Sequence, residues 1–283
     1  MQIERAASAL KAGEVVIIPT ETVYGLAACV HLPGAVQKIF QLKRRPADNP
    51  LIVHVASVEE ALSLIEPPPE EFFLLANRFW PGPLTLVVRK RSSVTDLVSA
   101  GLPSIALRMP AHPLALALIQ AAGPLAAPSA NLSGKPSPTT LQDALEDFGD
   151  QVPITIDGGP CAIGIESTVV SLWDKTPTLL RPGYITPQTL EAVLGKPLGC
   201  QSEGPVLSPG MKYRHYAPKA PVRLIYDPQQ LTARHIIHTP RQETLYADLR
   251  RLDREKAPEI QIYCDAKTRA DQALMDRLIR ASS

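Results

Sequence analysis

Five polar loops carry most of the residues in this chain that could do chemistry. Pro19-Thr20-Glu21-Thr22-Val23-Tyr24-Gly25 places two hydroxyls, a carboxylate and a phenol in one short turn after an apolar run. Lys43-Arg44-Arg45-Pro46-Ala47-Asp48-Asn49-Pro50 sets three cations ahead of a proline-stiffened stretch, and His54 follows between two valines. If that stretch is extended, Lys43 and Arg45 point the same way, and two fixed cations on one face suit a triphosphate, which needs charge neutralisation and forked donors. Ser104-Ile105-Ala106-Leu107-Arg108 ends an apolar run in an arginine, a candidate clamp for a carboxylate. Pro128-Ser129-Ala130-Asn131-Leu132-Ser133-Gly134, followed by Lys135 and Ser137, offers small hydroxyl residues that can approach a phosphate through side chain and backbone N–H together. Glu166-Ser167-Thr168 and Leu180-Arg181-Pro182-Gly183 complete the set. Each loop also has a plainer reading: a hydrogen-bonded turn, a solvated basic turn, a half-buried histidine, an edge-strand arginine, a surface ion pair. Spacing alone therefore reaches an α/β protein with an anion-friendly pocket and leaves the rest open.

What is missing narrows the chemistry. There is no G-x-S-x-G, no H-E-x-x-H and no G-x-x-x-x-G-K-[ST]. Cys29, Cys161, Cys200 and Cys264 are far apart, with no C-x-x-C pair to suggest a zinc or redox site. No pair of acids stands at metal-ligand spacing. A net charge of +1 argues against bulk electrostatic capture of nucleic acid, though it permits a local basic patch. No stretch reaches the ~18 apolar residues of a membrane span, and the first residues lack a cationic start followed by a long apolar run. The expectation is a reduced, cytoplasmic protein with no membrane partner.

The elements that would position these loops can be read from periodicity. Helices are expected over 3–10, 35–42, 57 onward (Ser57 capping, Glu60 three residues later), 70–79, 113–121, 140–148 and 187–194. Strands are expected over 15–18, 51–55, 84–88, 104–108, 125–127, 154–157, 168–172 and 178–180. Helices and strands interleave, so the body is α/β, and some strand pairs are joined too tightly for crossover helices, which predicts a twisted mixed sheet. The 29 prolines, about twice the ~5% of ordinary usage, sit mostly beside strands and turns and fit many sharp strand exits. Residues 199–221 lose apolar periodicity and read as a linker. Beyond it, strands near 222–226, 235–238 and 260–263 and helices near 242–252 and 270–281 form a piece of about 60 residues. That is marginal for an independent core, so it should lean on the first body.

Taken in order, PTETVYGLA, KRRPADNPLIVHV, WPGPLTLVV, SIALRMP, PSANLSGKPSPT, ESTVV and LRPG closely resemble the YrdC/Sua5 family across roughly residues 5–195. SPGMKYRHYAPKAPV resembles the segment joining the two domains of the longer, Sua5-type members. The resemblance implies a YrdC-like catalytic domain over 1–198, a linker that serves as a lid over 199–221, and a shortened, Rossmann-like C-terminal domain over 222–283. It implies an L-threonylcarbamoyladenylate synthase, which joins L-threonine, bicarbonate or CO2 and ATP into threonylcarbamoyl-AMP and pyrophosphate. A separate threonylcarbamoyl-transfer complex would then use that product to modify adenosine at position 37 of tRNA. By matching position, Thr22, His54, Arg108 and Ser167 fall on the family's threonine-binding residues. Arg45, Asn49, Ser104, Ala127, Ser129, Ser137, Arg181 and Tyr216 fall on its ATP-binding residues, and Lys43 on the lysine of its K-x-R motif. Lys43, Arg45 and Arg181 are the expected catalytic cations, and Mg2+ is expected to arrive on ATP.

The departure from the family lies after the linker, where about 65 residues stand in place of a domain of well over a hundred. LYADLRRLD and ALMDRLIRASS resemble its helix and its end, so its middle is the expected loss. The first domain's chemistry need not suffer, since shorter family members lack the second domain. Two other readings compete. A module of the same fold could bind structured RNA with its K-R-R cluster and make no adenylate. A carbamoyltransferase using carbamoyl phosphate is the other, although the zinc-finger-like cysteines of such proteins are absent.

Overall fold

The computed structural model describes residues 2–200 and 215–283. Helix α1 (Gln2–Lys11) buries Ala6, Ala7 and Leu10 and ends at Gly13, whose φ of 84° is the left-handed stop that glycine supplies. The following apolar run forms β1 (Val16–Ile18), and the first polar loop turns the chain back into β2 (Gly25–Cys29). The sequence reading places no strand at β2. Its glycine and alanines have little strand propensity, and it exists because β1 and β6 pair with its two edges.

The chain continues through α2 (Pro33–Lys43), β3 (Ile52–His54), α3 (Val58–Leu64), α4 (Glu70–Phe79), β4 (Leu84–Arg89), α5 (Asp96–Ser99) and β5 (Ser104–Arg108). Then come α6 (Pro113–Ala122), β6 (Leu125–Ala126), α7 (Leu141–Phe148), β7 (Thr168–Ser171), β8 (Thr178–Arg181), α8 (Pro187–Leu194) and β9 (Gly199–Cys200). Local signals account for the helix starts: Ser57, Thr140 and Thr186 each accept a hydrogen bond from the backbone N–H three residues on. Residues 154–157, expected as a strand, make only a bridge from Thr155 to Ile17, because Gly158-Gly159-Pro160 breaks the run.

The nine strands form one mixed sheet in the order β1-β2-β6-β3-β5-β4-β7-β8-β9. β3 with β5 and β4 with β7 are parallel, whereas β4 with β5 and β7 with β8 are antiparallel. The largest core lies on one face, where Leu26, Val53, Leu86, Leu107 and Val170 meet α2 and α4 residues such as Ile39, Phe72 and Leu75. On the other face α1 and α6 pack over Val16, Ile18, Ala27 and Leu125. Further along that face Ile52, Val87, Ala106, Val169 and Leu180 form a small cluster of their own, and Ile52 is also part of the wall of a cleft.

The C-terminal part comprises β10 (Val222–Ile225), β11 (Ile236–Ile237), α9 (Leu245–Arg254), β12 (Ile260–Tyr263), α10 (Ala266–Ala270) and α11 (Gln272–Ser282). Its three strands are all parallel, in the order β10-β12-β11. Its apolar core is shared: Val23 and Ile165 of the first body lie in the same cluster as Leu245, Leu249, Ile260 and Leu278. A piece this small cannot bury enough surface alone. Most of the expected linker, residues 201–214, lies outside the described residues. No helix among the described residues is long and apolar enough to cross a membrane.

Candidate functional site

A cleft of about 730 Å³, counted to its open mouth, gathers side chains from all five loops. Its wall takes Thr22 from the β1–β2 loop, Lys43 and Arg45 from the end of α2, and His54 and Arg108 from the last positions of β3 and β5. Ala127, Ser129, Asn131 and Ser133 follow β6, Glu166 and Ser167 precede β7, Arg181 ends β8, and His215 and Tyr216 close the rim. Among the described residues, four cations therefore face one carboxylate. Each cation leaves a helix or strand end, where the regular backbone fixes the side chain's starting direction.

One end is built around Arg108. His54 and Arg108 are register partners on adjacent parallel strands, so their side chains sit abreast. Arg108 Nη1 donates to Thr22 Oγ1 at 2.8 Å and Nε to the Gly82 carbonyl at 3.2 Å. Thr20 donates to the Val23 carbonyl at 2.7 Å, so in the 2.9 Å contact between the two hydroxyls Thr22 is the donor. The chain of bonds runs one way, from Arg108 through Thr22 and Thr20 to a carbonyl. Arg108 Nη2 lies 2.6 Å from Glu21 Oε1, yet off the donor line, and neither group has a well-aligned partner. His54 Nδ1 is buried and unpartnered as well. Burial, with Arg108 beside it, brings the His54 imidazole down to about 3, so it is neutral at physiological pH. A guanidinium whose Nη2 is held by a misaligned ion pair to Glu21, beside a neutral imidazole, can exchange that partner for a substrate carboxylate.

The other end is cationic and braced by backbone. Lys43 is 1% exposed, and its Nζ donates to the Ser129 and Asn131 carbonyls, each at 2.5 Å. Burial, reinforced by Arg45, drives its pKa well below that of an ordinary lysine. Arg45 donates to the Asn49 and Pro50 carbonyls at 3.1 and 2.8 Å, and burial lowers it to about 10. Arg181 donates to the Ser167 carbonyl and hydroxyl at 3.1 and 3.2 Å. The turn that follows requires Gly183, since a Cβ there would stand 2.4 Å from the Thr168 nitrogen. Lys43 and Arg45 are not presented by an extended segment, as the sequence reading expects. Lys43 is the last residue of α2, and Arg44 caps it in the left-handed region at φ 50°. The reversal, rather than strand alternation, brings Lys43 and Arg45 to one cleft.

Ten of the thirteen expected site residues line the cleft: Thr22, Lys43, Arg45, His54, Arg108, Ala127, Ser129, Ser167, Arg181 and Tyr216. Three stand back from it. Asn49 is buried behind Arg45 with its Oδ1 unpartnered. Ser137 reaches the wall through Glu166, whose Oε1 accepts its hydroxyl at 2.5 Å. Ser104 lies on the same face of β5 as Arg108 but at the far end of the strand, opposite Arg89. Tyr216 holds a left-handed backbone at φ 65°, uncommon for a bulky side chain, and Ala217 N anchors to the Gly134 carbonyl at 2.9 Å. The site residues picked from the sequence do not include Glu166, Asn131, Ser133 and His215. Asn131 Oδ1, Ser133 Oγ and His215 Nε2 are buried without partners. All of these lie beside chosen residues in the same motifs, and that adjacency was the only signal.

Fold and cleft together define an α/β protein with a cationic pocket at one end and a guanidinium clamp at the other. The family model Sua5_yciO_yrdC, described as "Telomere recombination", matches residues 8–183, and Sua5_C, described as "Threonylcarbamoyl-AMP synthase, C-terminal domain", matches residues 185–244. The threonylcarbamoyl-AMP synthase of Bacillus subtilis is 52% identical over 230 residues, covering 79% of this chain and 66% of that protein. That of Pyrococcus abyssi is 47% identical over 241 residues, covering 83% and 71%. The crystal structure of P. abyssi Sua5 complexed with L-threonine matches with a TM-score of 0.93 at 39% identity, over 99% of this chain and 94% of that one. The chain spans about two thirds of the length of these two curated relatives. It belongs to the YrdC/Sua5 family.

Proposed function

We propose that the protein is an L-threonylcarbamoyladenylate synthase, making threonylcarbamoyl-AMP and pyrophosphate from L-threonine, bicarbonate or CO2, and ATP. The observation that carries this reading is the two-ended cleft: Lys43, Arg45 and Arg181 at one end, Arg108 with Thr22 and His54 at the other. The names of the relatives and the bound threonine of the P. abyssi protein support it.

The residues assign the steps. Arg108 takes the threonine carboxylate with its Nη2 in exchange for Glu21, while Thr22 and the neutral His54 orient the amino acid. The threonine ammonium loses a proton to solvent, the free amine adds to CO2, and loss of a second proton from nitrogen to solvent gives the carbamate. A carbamate oxygen attacks the α-phosphorus, the bond to the β-phosphate oxygen breaks, and pyrophosphate leaves with its electron pair. Lys43, Arg45 and Arg181 neutralise the charge that gathers on the phosphates, and Ser129 and Tyr216 border the nucleotide. No covalent intermediate on the protein is needed, so catalysis is positioning and charge stabilisation. Mg2+ comes with ATP as part of the substrate. The cleft offers cations, hydroxyls and a single carboxylate, and Glu166 is already held by Arg277, a donor set that suits phosphate better than a resident cation. The product's use on tRNA by a separate transfer complex, and action in the cytoplasm, follow from the same reading.

The test is to incubate the protein with ATP, bicarbonate and L-threonine and follow pyrophosphate. Release that depends on threonine is expected. Release indifferent to threonine, or none, contradicts the proposal; tight binding of structured RNA in its place would favour the RNA-binding module.

A further inference from the structure

Glu166 poses a problem for a cleft that must accept a polyanion. Among the described residues it is the one carboxylate in the wall, it is buried, and it lies next to Ser167, which holds Arg181. Left alone, a carboxylate here would repel phosphate and draw Arg181 toward itself. The chain compensates it from about a hundred residues away. Arg277 of α11, with no exposed surface, donates from Nε to Glu166 Oε2 at 2.9 Å and from Nη2 to the Glu166 carbonyl at 3.4 Å. Asp276 Oδ2 takes its Nη1 at 2.6 Å. Tyr246 of α9 donates its hydroxyl to the same Oε2 at 2.8 Å.

These two residues also hold the rim. The rings of Tyr216 and Tyr246 stack with centroids 5.4 Å apart, and the Arg277 guanidinium lies 5.4 Å from the centroid of Tyr216. Glu166 Oε1 in turn fixes Ser137. Ser137 and Tyr216 are thus steadied by the C-terminal part, while Arg181 is held by Ser167, the neighbour of Glu166.

We propose that Arg277, assisted by Tyr246, is a positioning residue for the nucleotide end of the cleft, neutralising Glu166 and holding Tyr216 in place on the rim, so that the wall accepts the phosphates of ATP. The C-terminal part thereby becomes a component of the nucleotide site in this chain. This rests on the synthase reading for its substrate, not for its geometry.

The test compares the full chain with Arg277→Met, Arg277→Lys and the double variant Arg277→Met with Glu166→Gln, in steady-state pyrophosphate release. For Arg277→Met we expect KM for ATP to rise about tenfold, with kcat within about threefold and KM for threonine unchanged. Lysine should rescue in part, because it restores the charge without the fork or the stack. The double variant should bring KM for ATP back to within about threefold of wild type, since removing both charges leaves nothing to neutralise. A purely structural ion pair would instead lower kcat in proportion to lost folded protein and leave KM for ATP alone. That result, or a double variant with a higher KM for ATP than the single, overturns the proposal. Should Arg277→Met fail to fold, Tyr246→Phe removes one hydroxyl and keeps the ring. KM for ATP is then expected to rise about threefold, and no change overturns the proposal. If the wild-type chain releases no threonine-dependent pyrophosphate, the synthase reading fails. Calorimetric titration of the same variants with ATP still tests Arg277.

Discussion

The two sheets of this molecule treat buried polar groups in opposite ways. Around the nine-stranded sheet, side-chain atoms of Asn49, His54, Asn131 and Ser133 are buried and lack a hydrogen-bond partner. In the three-stranded part the buried polar side chains are satisfied: Gln261 accepts from Thr232 N and Ala233 N, Arg250 is filled by Pro136, Asp143 and Asp147, and Arg277 by Glu166 and Asp276. Among the described residues of that part, only His235 Nδ1 is left over. An unpaired buried polar atom costs stability, so a fold keeps a cluster of them where a ligand completes the bonds. The difference separates a body built to receive something from a part built to brace it.

The largest effect that could break this division is at Lys43. Lys43→Met should lower kcat/KM about 100-fold or more, by analogy with losing one preorganised donor; near-normal turnover would remove the cationic end from the account. Next comes Arg108→Gln, expected to raise KM for threonine on the order of 100-fold while KM for ATP holds within about threefold. A loss shared equally by both substrates would mean the two ends are not separate. In the bracing part, Arg250→Met should cost about 2 kcal/mol, because Asp147 keeps Lys135 but loses its second cation, and the Pro136 and Asp143 carbonyls lose the donors Arg250 supplies; the thermal midpoint reads this directly. Arg254, one turn on in α9, pairs with Asp143 and Glu146 but is 46% exposed, so Arg254→Ala should cost under about 1 kcal/mol.

The pH dependence of stability sharpens the comparison more gently. Burial alone would raise the Glu166 carboxyl, but Arg277, Arg181 and the bond from Ser137 overcome this and hold it at about 2 against an ordinary 4.5. Its contribution is complete above pH 4.5 and is lost as pH falls from 4.5 toward 2. His54 is depressed by burial from 6.5 to about 3, so the unfolded chain takes up the proton first and stability falls as pH drops below 6.5. His215, lowered to about 4, acts in the same window. The urea midpoint should therefore decline between pH 6.5 and 4.5, and His54→Gln should flatten that part of the curve.

Local signals made much of the fold legible. The limits of α4, β5, α8 and β12 follow from apolar periodicity with proline or glycine at the ends, and the Ser57 and Thr140 caps from side-chain chemistry next door. Features that depend on distant partners were not legible. β2 owes its strand geometry to β1 and β6, and the approach of Lys43 to Arg45 needs Arg44 in a left-handed turn. The chemical loops were visible because each leaves or enters an apolar run, whereas Arg277 and Tyr246 look like ordinary residues on amphipathic helices. The sequence reading held that the first body's chemistry need not suffer from the shortening; the bonds that Glu166 receives from α9 and α11 connect the two parts at the cleft wall.

The most direct measurement is mass spectrometry of the product formed from ATP, L-threonine and isotopically labelled bicarbonate. The two-ended cleft predicts an adenylate carrying both threonine and the labelled carbon, formed in step with pyrophosphate. ATP consumed without an adenylate containing both would contradict the account.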